Sequence, residues 1–313
     1  MTTALNRKIV VVGSSNTDMV IRSPRMPRPG ETVLGGEFMM NPGGKGANQA
    51  VAAARLGGEV TFIAKVGDDV FGKQTLENLA EEGIVTDHIG VAADVPSGVA
   101  LINVDASGEN SISVASGANS TLSTTDIDAA EEAIAAAAIV LLQLEVPVST
   151  VAYAAAVAKR HGVPVVLNPA PAPNTPLPAE LLQNVDIIIP NRTEMELITG
   201  VGCDRPVEDG VERLRELGVA TVVVTLGSEG SLVCGSGNIL KVDPFKVAPV
   251  DTTAAGDTFC AALCVGIAEG MPLDRAALFG NLAASVTVTR SGAQPSLPLR
   301  SEIDALIAGG ALG

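Results

Sequence analysis

A carboxylate that follows very small side chains at a predicted helix start is the feature of this sequence that points most directly to chemistry. The small residues are Ala254, Ala255 and Gly256, and the carboxylate belongs to Asp257. Apolar residues that recur every fourth position from Phe259 predict a helix beginning here. Small side chains leave the first amide N–H groups of a helix uncovered, and such amides bind anions at the positive end of the helix dipole. The stretch therefore predicts a phosphate site with a carboxylate at its edge.

The position of Asp257 allows two interpretations. An acidic residue in the first turn stabilises a helix by about 0.3–1 kcal/mol through the helix dipole and needs no role in chemistry. Alternatively, the carboxylate accepts a proton from a hydroxyl that attacks a phosphoryl group, while the amides hold the charge of the transferring oxygens. The small residues in front of Asp257 favour the second interpretation, because a carboxylate is out of place beside an anion site that only holds a phosphate.

A glycine-rich segment before an alanine-rich helix is the second candidate site. Three glycines surround a lysine in the order Gly43, Gly44, Lys45 and Gly46, and a helix is predicted over residues 47–56. Glycine lets a small ligand lie against bare backbone. Lys45 and Asn48 carry donors suited to hydroxyl oxygens. We therefore expect a hydroxylated ligand at this loop.

Polar residues also follow predicted strands, where ligands bind in parallel sheets. Asn16 and Asp18 follow the strand over residues 8–14, and Glu145 follows the strand over residues 139–144. An Asx turn is the structural alternative for the first pair. Their place at strand ends predicts that these side chains meet a ligand.

Asn191 and Glu194 follow a further predicted strand, over residues 185–189. Three residues apart at a helix start, they share one face and would order Mg²⁺ waters or a phosphate. A capping box between the two side chains explains the same spacing without any ligand. The sequence leaves both interpretations open.

The order of predicted elements indicates an α/β fold. From residue 124 onward helices and strands alternate, beginning with a helix over residues 124–138, which predicts a mostly parallel sheet sandwiched by helices. Short alternating stretches at about 19–40, including residues 32–38, and at about 98–115 predict small strands that form a β-flap, or lid, over the strand ends. We expect a single domain over residues 1–313.

Composition excludes several classes of protein. A formal charge of −15 and a pI near 4.5 argue against nucleic acid and anionic membranes as partners. Four cysteines and two histidines lack zinc spacing, and nothing supports a disulfide framework. No apolar run reaches the roughly 18 residues of a membrane helix, and the N-terminal segment leads into a strand instead of a signal-peptide core. We therefore expect a cytoplasmic protein.

The two densest stretches, residues 43–49 and 251–259, resemble the two signatures of the ribokinase-like carbohydrate kinase family. The similarity covers nearly the whole chain and includes residues 13–18, 142–145, 168–171, 225–228 and 292–296. Motifs of this length in this order are highly specific. The resemblance implies ATP-dependent phosphorylation of a sugar, with D-ribose and its O5 hydroxyl as the leading acceptor.

The family resemblance also implies a role for individual residues. Asp257 would be the base at the sugar hydroxyl, and the amides of residues 254–257 the anion hole. The sugar hydroxyls would be held by Asn16, Asp18, Gly44, Lys45, Asn48 and Glu145. ATP would lie along Asn191, Thr225, Gly227, Ser228, Gly230, Gly256 and Asn281, with Glu194 arranging Mg²⁺. A K⁺ site maps, mostly through carbonyl oxygens, onto Asp251, Thr253, Thr287, Arg290, Gly292 and Ser296.

Two residues depart from the family pattern. Arg192 stands where an acidic residue is frequent, and Cys260 stands where asparagine is common. Neither replaces a residue with a role given above.

The lid of this family commonly forms a dimer contact, so the resemblance implies a homodimer.

Three other functions compete with a pentose kinase. A nucleoside kinase would need an aromatic side chain to stack the base, but aromatic residues make up 2% of the chain and Phe38 is the main candidate in the flap. A kinase for phosphorylated sugars would need several basic residues at the sugar loops, where Lys45 stands alone. A non-catalytic sugar-binding protein would tolerate loss of Asp257, Gly256 or Glu194, and all three are present. Ribose, deoxyribose and other pentoses remain alternatives.

Overall fold

The computed structural model describes residues 5–235 and 239–311. The predicted domain, 1–313, also includes residues 1–4, 236–238 and 312–313, which lie outside the described residues. The described strands are β1 (Lys8–Val12), β2 (Asn16–Arg22), β3 (Glu37–Gly43), β4 (Glu59–Gly67), β5 (Ile89–Ala92), β6 (Gly98–Val104), β7 (Asn110–Ala115), β8 (Ile139–Leu142), β9 (Val165–Leu167), β10 (Ile187–Ile188), β11 (Thr221–Thr225), β12 (Ser231–Cys234) and β13 (Ile239–Val242).

The described α-helices are α1 (Lys45–Arg55), α2 (Val70–Glu81), α3 (Thr124–Asp128), α4 (Glu131–Ala136), α5 (Val148–Arg160), α6 (Ala179–Leu182), α7 (Arg192–Thr199), α8 (Val207–Glu216), α9 (Ala255–Ala268), α10 (Leu273–Thr287) and α11 (Arg300–Leu306). In the described residues, the central sheet has nine strands in the order β13-β12-β11-β10-β9-β8-β1-β4-β5. The strands from β11 to β5 pair in parallel, and β12 and β13 extend one edge in antiparallel pairing. The predicted mostly parallel sheet is confirmed.

Helices cover both faces of this sheet, as the burial of strand β1 on both sides illustrates. Its consecutive apolar residues alternate between two cores: Ile9 and Val11 pack with α1, α2, α9, α10 and α11, whereas Val10 and Val12 pack with α3 to α8. A strand that is buried on both faces reads as a continuous apolar run, as residues 9–12 do. Parallel pairing brings the carboxyl ends of the strands to one edge of the sheet, where ligands bind in this class of fold.

A second sheet of four strands forms the flap, in the order β3-β2-β6-β7. Strand β2 pairs with β3 in antiparallel and with β6 in parallel orientation. The strand predicted over residues 32–38 is observed further along the chain, as β3. Its pairing with β2 runs from Arg22 opposite Glu37 to Asn16 opposite Gly43. This register carries β3 directly into the glycine-rich loop before α1.

The single helix predicted over residues 124–138 is wrong in detail. The segment forms two short helices, α3 and α4, separated at Ala129 and Ala130. Ile127, Ala130 and Ile134 are buried against the sheet. Burial of these side chains against the sheet outweighs the continuous helix propensity of this alanine-rich segment.

Small side chains allow α1 to approach both α9 and the loop after β1. Ala47, Ala50 and Ala53 are buried in the same core as Phe259 and Leu263 of α9. Close approach of this kind brings side chains of α1 within hydrogen-bonding distance of the first turn of α9. In the described part of the chain, no helix is long and apolar enough to span a membrane.

The substitution Gly46→Ala tests the close packing of α1. A Cβ at this position would lie 2.5 Å from the Ser14 amide nitrogen and 2.7 Å from the Gly13 carbonyl carbon, so backbone must move. We expect the free energy of unfolding to fall by about 1–3 kcal/mol, as for other overpacked sites. Gly309→Ala is the matched control, since a Cβ there meets no atom of the described residues within 4 Å. Urea unfolding of both variants measures the difference, and equal stability would contradict the packing described.

Candidate active site

Asp257 lies in the first turn of α9 and is 6% exposed. Two amide side chains of α1 hold its carboxylate: Asn48 Nδ2 donates to Oδ2 at 3.0 Å, and Gln49 Nε2 donates to Oδ1 at 2.9 Å. Each carboxylate oxygen thus receives a neutral donor and keeps a lone pair free. Asn48 Oδ1 is buried and has no partner in the described part of the chain, so it is able to accept from a ligand hydroxyl.

The backbone before Asp257 forms a concavity of amide groups. Ala254 has a left-handed conformation, φ 60° and ψ 8°, which is the only positive φ of a non-glycine residue in the described chain. A left-handed residue followed by a helical one turns successive N–H groups toward one point and makes an anion-binding nest. The strain of about 1–2 kcal/mol for an L residue in this conformation is typical of functional sites.

At the start of α9, the N–H groups of two residues are open in the described chain, whereas a third, which was expected to be open, is hydrogen-bonded. The N–H groups of Gly256 and Asp257 donate to no acceptor among the described residues. The Ala255 N–H, which was expected to be uncovered, donates to the Thr252 carbonyl at 3.3 Å, because the left-handed Ala254 closes a turn there. Thr258 completes the turn, since its N–H and its hydroxyl both donate to the Ala254 carbonyl, at 2.8 and 2.9 Å.

The residues predicted to hold a sugar lie together between the flap and the central sheet. Asn16 and Asp18 begin β2, Lys45 begins α1, and Glu145 follows β8. Gly44 has φ 87°, and a Cβ at this position would lie 2.7 Å from the Asn16 amide nitrogen. Only glycine therefore permits the loop before α1 to approach β2.

Glu145 connects two of these loops through one oxygen. Its Oε2 accepts from the Ser14 hydroxyl at 2.6 Å and from the Lys45 amide at 3.0 Å. The carboxylate thereby caps the start of α1, whose N-cap residue, Gly44, has no side chain to do so. Ser14 was not predicted as a site residue.

Asn119 determines which way the Asn16 amide points. Asn119 Oδ1 accepts from the Ser15 N–H at 2.9 Å, so its Nδ2 must donate, and it does so to Asn16 Oδ1 at 2.8 Å. Asn16 Nδ2 then has no partner among the described residues and faces a ligand as a donor. A cavity of about 320 Å³ is lined by Asn16, Asn119 and Glu145. Asn119 is another residue that the sequence analysis missed.

The charges of this cleft are predominantly negative. Burial, together with Glu145 and Asp257, raises the pKa of Asp18 to about 7. The Asp257 carboxylate holds the pKa of Lys45 above its usual value against the opposing effect of burial. Carboxylates that cannot all find cations accept hydrogen bonds instead, and a polyhydroxylated ligand supplies such donors.

A larger cavity of about 680 Å³ lies on the other side of the α9 start. All seven residues predicted to contact the nucleotide line it, namely Asn191, Thr225, Gly227, Ser228, Gly230, Gly256 and Asn281. Residues 244–247 and Ala284, Ser285 and Val288 of the α10 end supply further walls that the sequence analysis did not assign. The volume lies within the usual range of about 300–1,000 Å³ for small-molecule sites.

Asn191 and Glu194 form the capping box that was one of their two interpretations. Asn191 Oδ1 accepts from the Glu194 N–H, and Glu194 Oε2 accepts from the Asn191 N–H, both at 2.8 Å. Burial raises the pKa of Glu194, whereas the Asn191 N–H opposes this rise. The cap occupies one carboxylate oxygen, and Oε1 has no hydrogen bond in the described chain. Cap and ligand roles are therefore compatible.

The residues predicted for a monovalent cation lie on two neighbouring loops, except Thr287, which ends α10. Asp251 joins them, because its Oδ1 accepts from Thr253 and its Oδ2 accepts from the Gly292 N–H at 2.9 Å. The Thr287 hydroxyl lies 2.9 Å from the Thr258 hydroxyl in α9, which connects these loops to the helix start. The Arg290 guanidinium pairs with Glu302, so only its backbone is available to an ion. Ser296 lies buried in the second loop.

Comparison with known proteins identifies similar sequences and structures. Residues 6–300 match the family model described as pfkB family carbohydrate kinase. The chain is 45% identical over 300 residues to the ribokinase of Haemophilus influenzae, with 95% of this chain and 97% of the relative covered. It is 38% identical over 292 residues to the deoxyribokinase of Salmonella typhi, with 93% and 95% covered. The structure of Arabidopsis thaliana ribokinase complexed with ribose and ATP matches with a TM-score of 0.89 at 35% identity, covering 97% of this chain and 99% of that one.

Glycine substitutions at two adjacent positions test the backbone geometry of the helix start. Ala254→Gly relieves the left-handed strain, so we expect the free energy of unfolding to rise by up to about 1 kcal/mol. Ala255→Gly places glycine in a helix and should lower the same quantity by about 0.5 kcal/mol. Thermal and urea unfolding measure both variants. Changes of the same sign would contradict a left-handed Ala254.

Proposed function

Since the chain belongs to the pfkB family of carbohydrate kinases, we propose that it transfers the γ-phosphoryl group of ATP to the O5 hydroxyl of D-ribose. One observation carries this proposal. Gly256 lines the larger cavity, while the next residue, Asp257, is held by side chains of the helix that follows the glycine-rich loop. Two adjacent residues thus face a nucleotide site and a hydroxyl-binding cleft.

In the proposed reaction, Asp257 is the general base. The O5 proton passes to the Asp257 carboxylate while O5 forms a bond to the γ-phosphorus, and the bond from that phosphorus to the β,γ-bridging oxygen breaks, which releases ADP. The open N–H groups of Gly256 and Asp257 hold the charge of the transferring oxygens. Loss of one such donor typically costs about 10²–10³ in kcat in comparable anion holes.

The sugar is held by complementary donors and acceptors. Asp18 and Glu145 accept hydrogen bonds from sugar hydroxyls, and the free Nδ2 of Asn16 and the ammonium of Lys45 donate to sugar oxygens. Asn48 Oδ1 accepts a further hydroxyl beside the base. Gly44 contributes bare backbone against which the sugar ring lies.

ATP would occupy the larger cavity, and Glu194, three residues after the cavity residue Asn191, would arrange Mg²⁺. Mg²⁺ keeps several waters and binds through one or two carboxylates and the phosphates, so one free oxygen of Glu194 fits this role. Groups of three or more acidic, histidine or cysteine side chains that would form a protein cage are absent from the described residues. When bound, Mg²⁺ supplies positive charge to the phosphates.

K⁺ fits the two loops that Asp251 joins. Both oxygens of the Asp251 side chain are occupied by Thr253 and Gly292, so the ion would be held mainly by backbone carbonyl oxygens of the predicted set, Asp251, Thr253, Thr287, Arg290, Gly292 and Ser296. Its charge would act on the helix start through the contact between Thr287 and Thr258.

The flap supports the proposed homodimer. Strand pairing places Ile21, Phe38, Met40 and Leu101 on the face of the flap opposite Asp18, and all four are 43–59% exposed. Exposed apolar side chains that lie together on one face of a sheet are typical of a protein interface. The proposed location is the cytoplasm, where ATP is available to the reaction.

Two observations bear on the alternative substrates. Phe38, the aromatic residue that a nucleoside kinase would use for stacking, lies on the flap face that points away from the sugar residues. The similarity to a deoxyribokinase keeps 2-deoxyribose as a second candidate acceptor. A site that hydrogen-bonds a substrate hydroxyl rejects the analogue lacking it by about 10⁴–10⁵.

A coupled assay of ADP release with D-ribose, 2-deoxy-D-ribose, other pentoses, hexoses and adenosine tests the proposed function. We expect the highest kcat/KM with ribose and a product phosphorylated at O5, identified by NMR. Highest activity with adenosine, or no ADP release with any sugar, would contradict the proposal.

Asp257→Asn should separate catalysis from sugar binding. The variant keeps the shape of the side chain but loses the base, so kcat for ribose should fall by at least about 10³-fold. The ribose Kd, measured by calorimetry, should change less than about threefold. Turnover within tenfold of the unmodified protein would remove Asp257 from the role of base.

The pH dependence of ribose affinity should follow Asp18. Its pKa of about 7 in the free protein means that the side chain is protonated below pH 7 and loses acceptor capacity there. Ribose Kd should therefore rise as pH falls from 8 to 6, by up to about tenfold per pH unit below pH 7. In Asp18→Asn the affinity should be lower and nearly independent of pH. A pH-independent Kd in the unmodified protein would contradict this account.

A further inference from the structure

A row of buried amide side chains lies behind Asp257. Gln143 follows β8, Gln49 lies in α1, and Asn168 follows β9. Gln143 Nε2 donates to Gln49 Oε1, and Gln49 Nε2 donates both to Asn168 Oδ1, at 3.0 Å, and to Asp257 Oδ1, at 2.9 Å. Gln143 and Gln49 are fully buried, and Asn168 is 7% exposed. The row therefore connects two strand ends to the first turn of α9.

A single backbone carbonyl determines the direction of every bond in this row. Asn168 Nδ2 donates to the Ile189 carbonyl at 2.9 Å, and a carbonyl oxygen only accepts. Asn168 Oδ1 must then accept from Gln49, so Gln49 presents Nε2 on this side and Oε1 toward Gln143. The two hydrogens of Gln49 Nε2 are thus committed, one to Asn168 and one to Asp257. Asp257 Oδ1 always faces a donor.

We propose that Gln49 is a positioning residue for the base, and that its hydrogen bond reserves Oδ1 so that Oδ2 accepts the proton from the sugar hydroxyl. This inference rests on the proposed function and assigns the reacting oxygen within it. The O5 proton moves to Oδ2 as the O5–phosphorus bond forms and ADP leaves. Gln49 itself does not contact the sugar in this assignment.

The surroundings of the two carboxylate oxygens support the assignment. Oδ1 faces the fully buried Gln49, whereas Oδ2 faces Asn48, whose own Oδ1 is unpartnered within the described residues. A sugar hydroxyl that reaches the Oδ2 side meets both a proton acceptor and an additional polar partner. Each oxygen accepts one neutral amide donor, so the difference between them lies in their surroundings: Gln49 is fully buried and fully committed, whereas Asn48 keeps an open acceptor beside Oδ2.

Most of the ionisable groups around Asp257 are acidic, and the side chains that donate to its carboxylate are neutral amides. Asp257 is faced by Asp18 from β2, Lys45 from α1, Glu194 from α7 and the Cys260 thiol from its own helix. Lys45 is the one cation in this group. Loss of the Gln49 donor would leave Oδ1 without a hydrogen bond among mainly acidic groups, and a hydrogen bond to the charged form of a carboxyl favours that form.

The variant Gln49→Met removes the donor while keeping side-chain length. We expect kcat for ribose to fall roughly 10- to 100-fold, the KM for ribose to stay within about threefold, and the acidic limb of the kcat profile to move to higher pH. Gln49→Glu keeps the shape and brings a second carboxyl to Oδ1. While the two carboxyls share a proton, Oδ1 still faces a donor, so kcat should fall as pH rises and the shared proton leaves.

Thr150→Val is the matched control, because it removes the buried hydrogen bond that the Thr150 hydroxyl of α5 donates to the Leu122 carbonyl, on the opposite face of the sheet. Its kcat, KM and pH profile should equal those of the unmodified protein.

The inference is overturned if folded Gln49→Met keeps kcat within threefold at every pH, or if its KM rises while kcat is unchanged. Should the Met variant fail to fold, an unaltered pH profile in Gln49→Glu overturns it. Absence of sugar phosphorylation in the unmodified protein would instead refute the proposed function.

Discussion

The packing of α1 against the start of α9 is the constraint on which the site depends. Alanine and glycine side chains let the two helices approach until Asn48 and Gln49 reach the Asp257 carboxylate. The carboxylate is thereby turned away from the amide nest that immediately precedes it. A carboxylate that faced the same point as the amides would accept their hydrogen bonds and repel an anion; here its oxygens accept from Asn48 and Gln49, and the N–H groups of Gly256 and Asp257 stay open within the described residues.

The flap and the strand ends supply the remaining half of the site. Asn16 begins the first strand of the flap and Asn119 follows its last strand, and the hydrogen bond from Asn119 Nδ2 to Asn16 Oδ1 fixes the orientation of the Asn16 amide. Carboxylates outnumber cations in the cleft between the flap and the central sheet. Burying them is energetically unfavourable unless they accept hydrogen bonds, for example from ligand hydroxyls. Burial and the neighbouring carboxylates, which together raise the pKa of Asp18, therefore favour a ligand rich in hydroxyl donors.

The sequence predicted the architecture and the grouping of site residues better than the details of their contacts. The alternation of helices and strands from residue 124 onward predicted the parallel sheet, and the continuous apolar run of residues 9–12 agrees with a strand that is covered on both faces. Period and composition failed at residues 124–138, where burial of Ile127 and Ile134 divides one predicted helix into two. Gln49, Asn119 and Ser14 were missed for another reason: each acts by holding a ligand-facing residue that is distant in sequence, and such pairing has no local signal. Gln49 stands within the glycine-rich signature, and its place one residue after Asn48 was the available clue.

A crystal structure with ribose, ADP and a planar aluminium fluoride in place of the transferring phosphoryl group would test the central claim most directly. The account predicts fluoride at about 2.7–3.1 Å from the amide nitrogens of Gly256 and Asp257, with ribose O5 hydrogen-bonded to Asp257 Oδ2. A fluoride bound away from the α9 start, or a sugar whose hydroxyls all lie beyond the reach of Asp257, would contradict it.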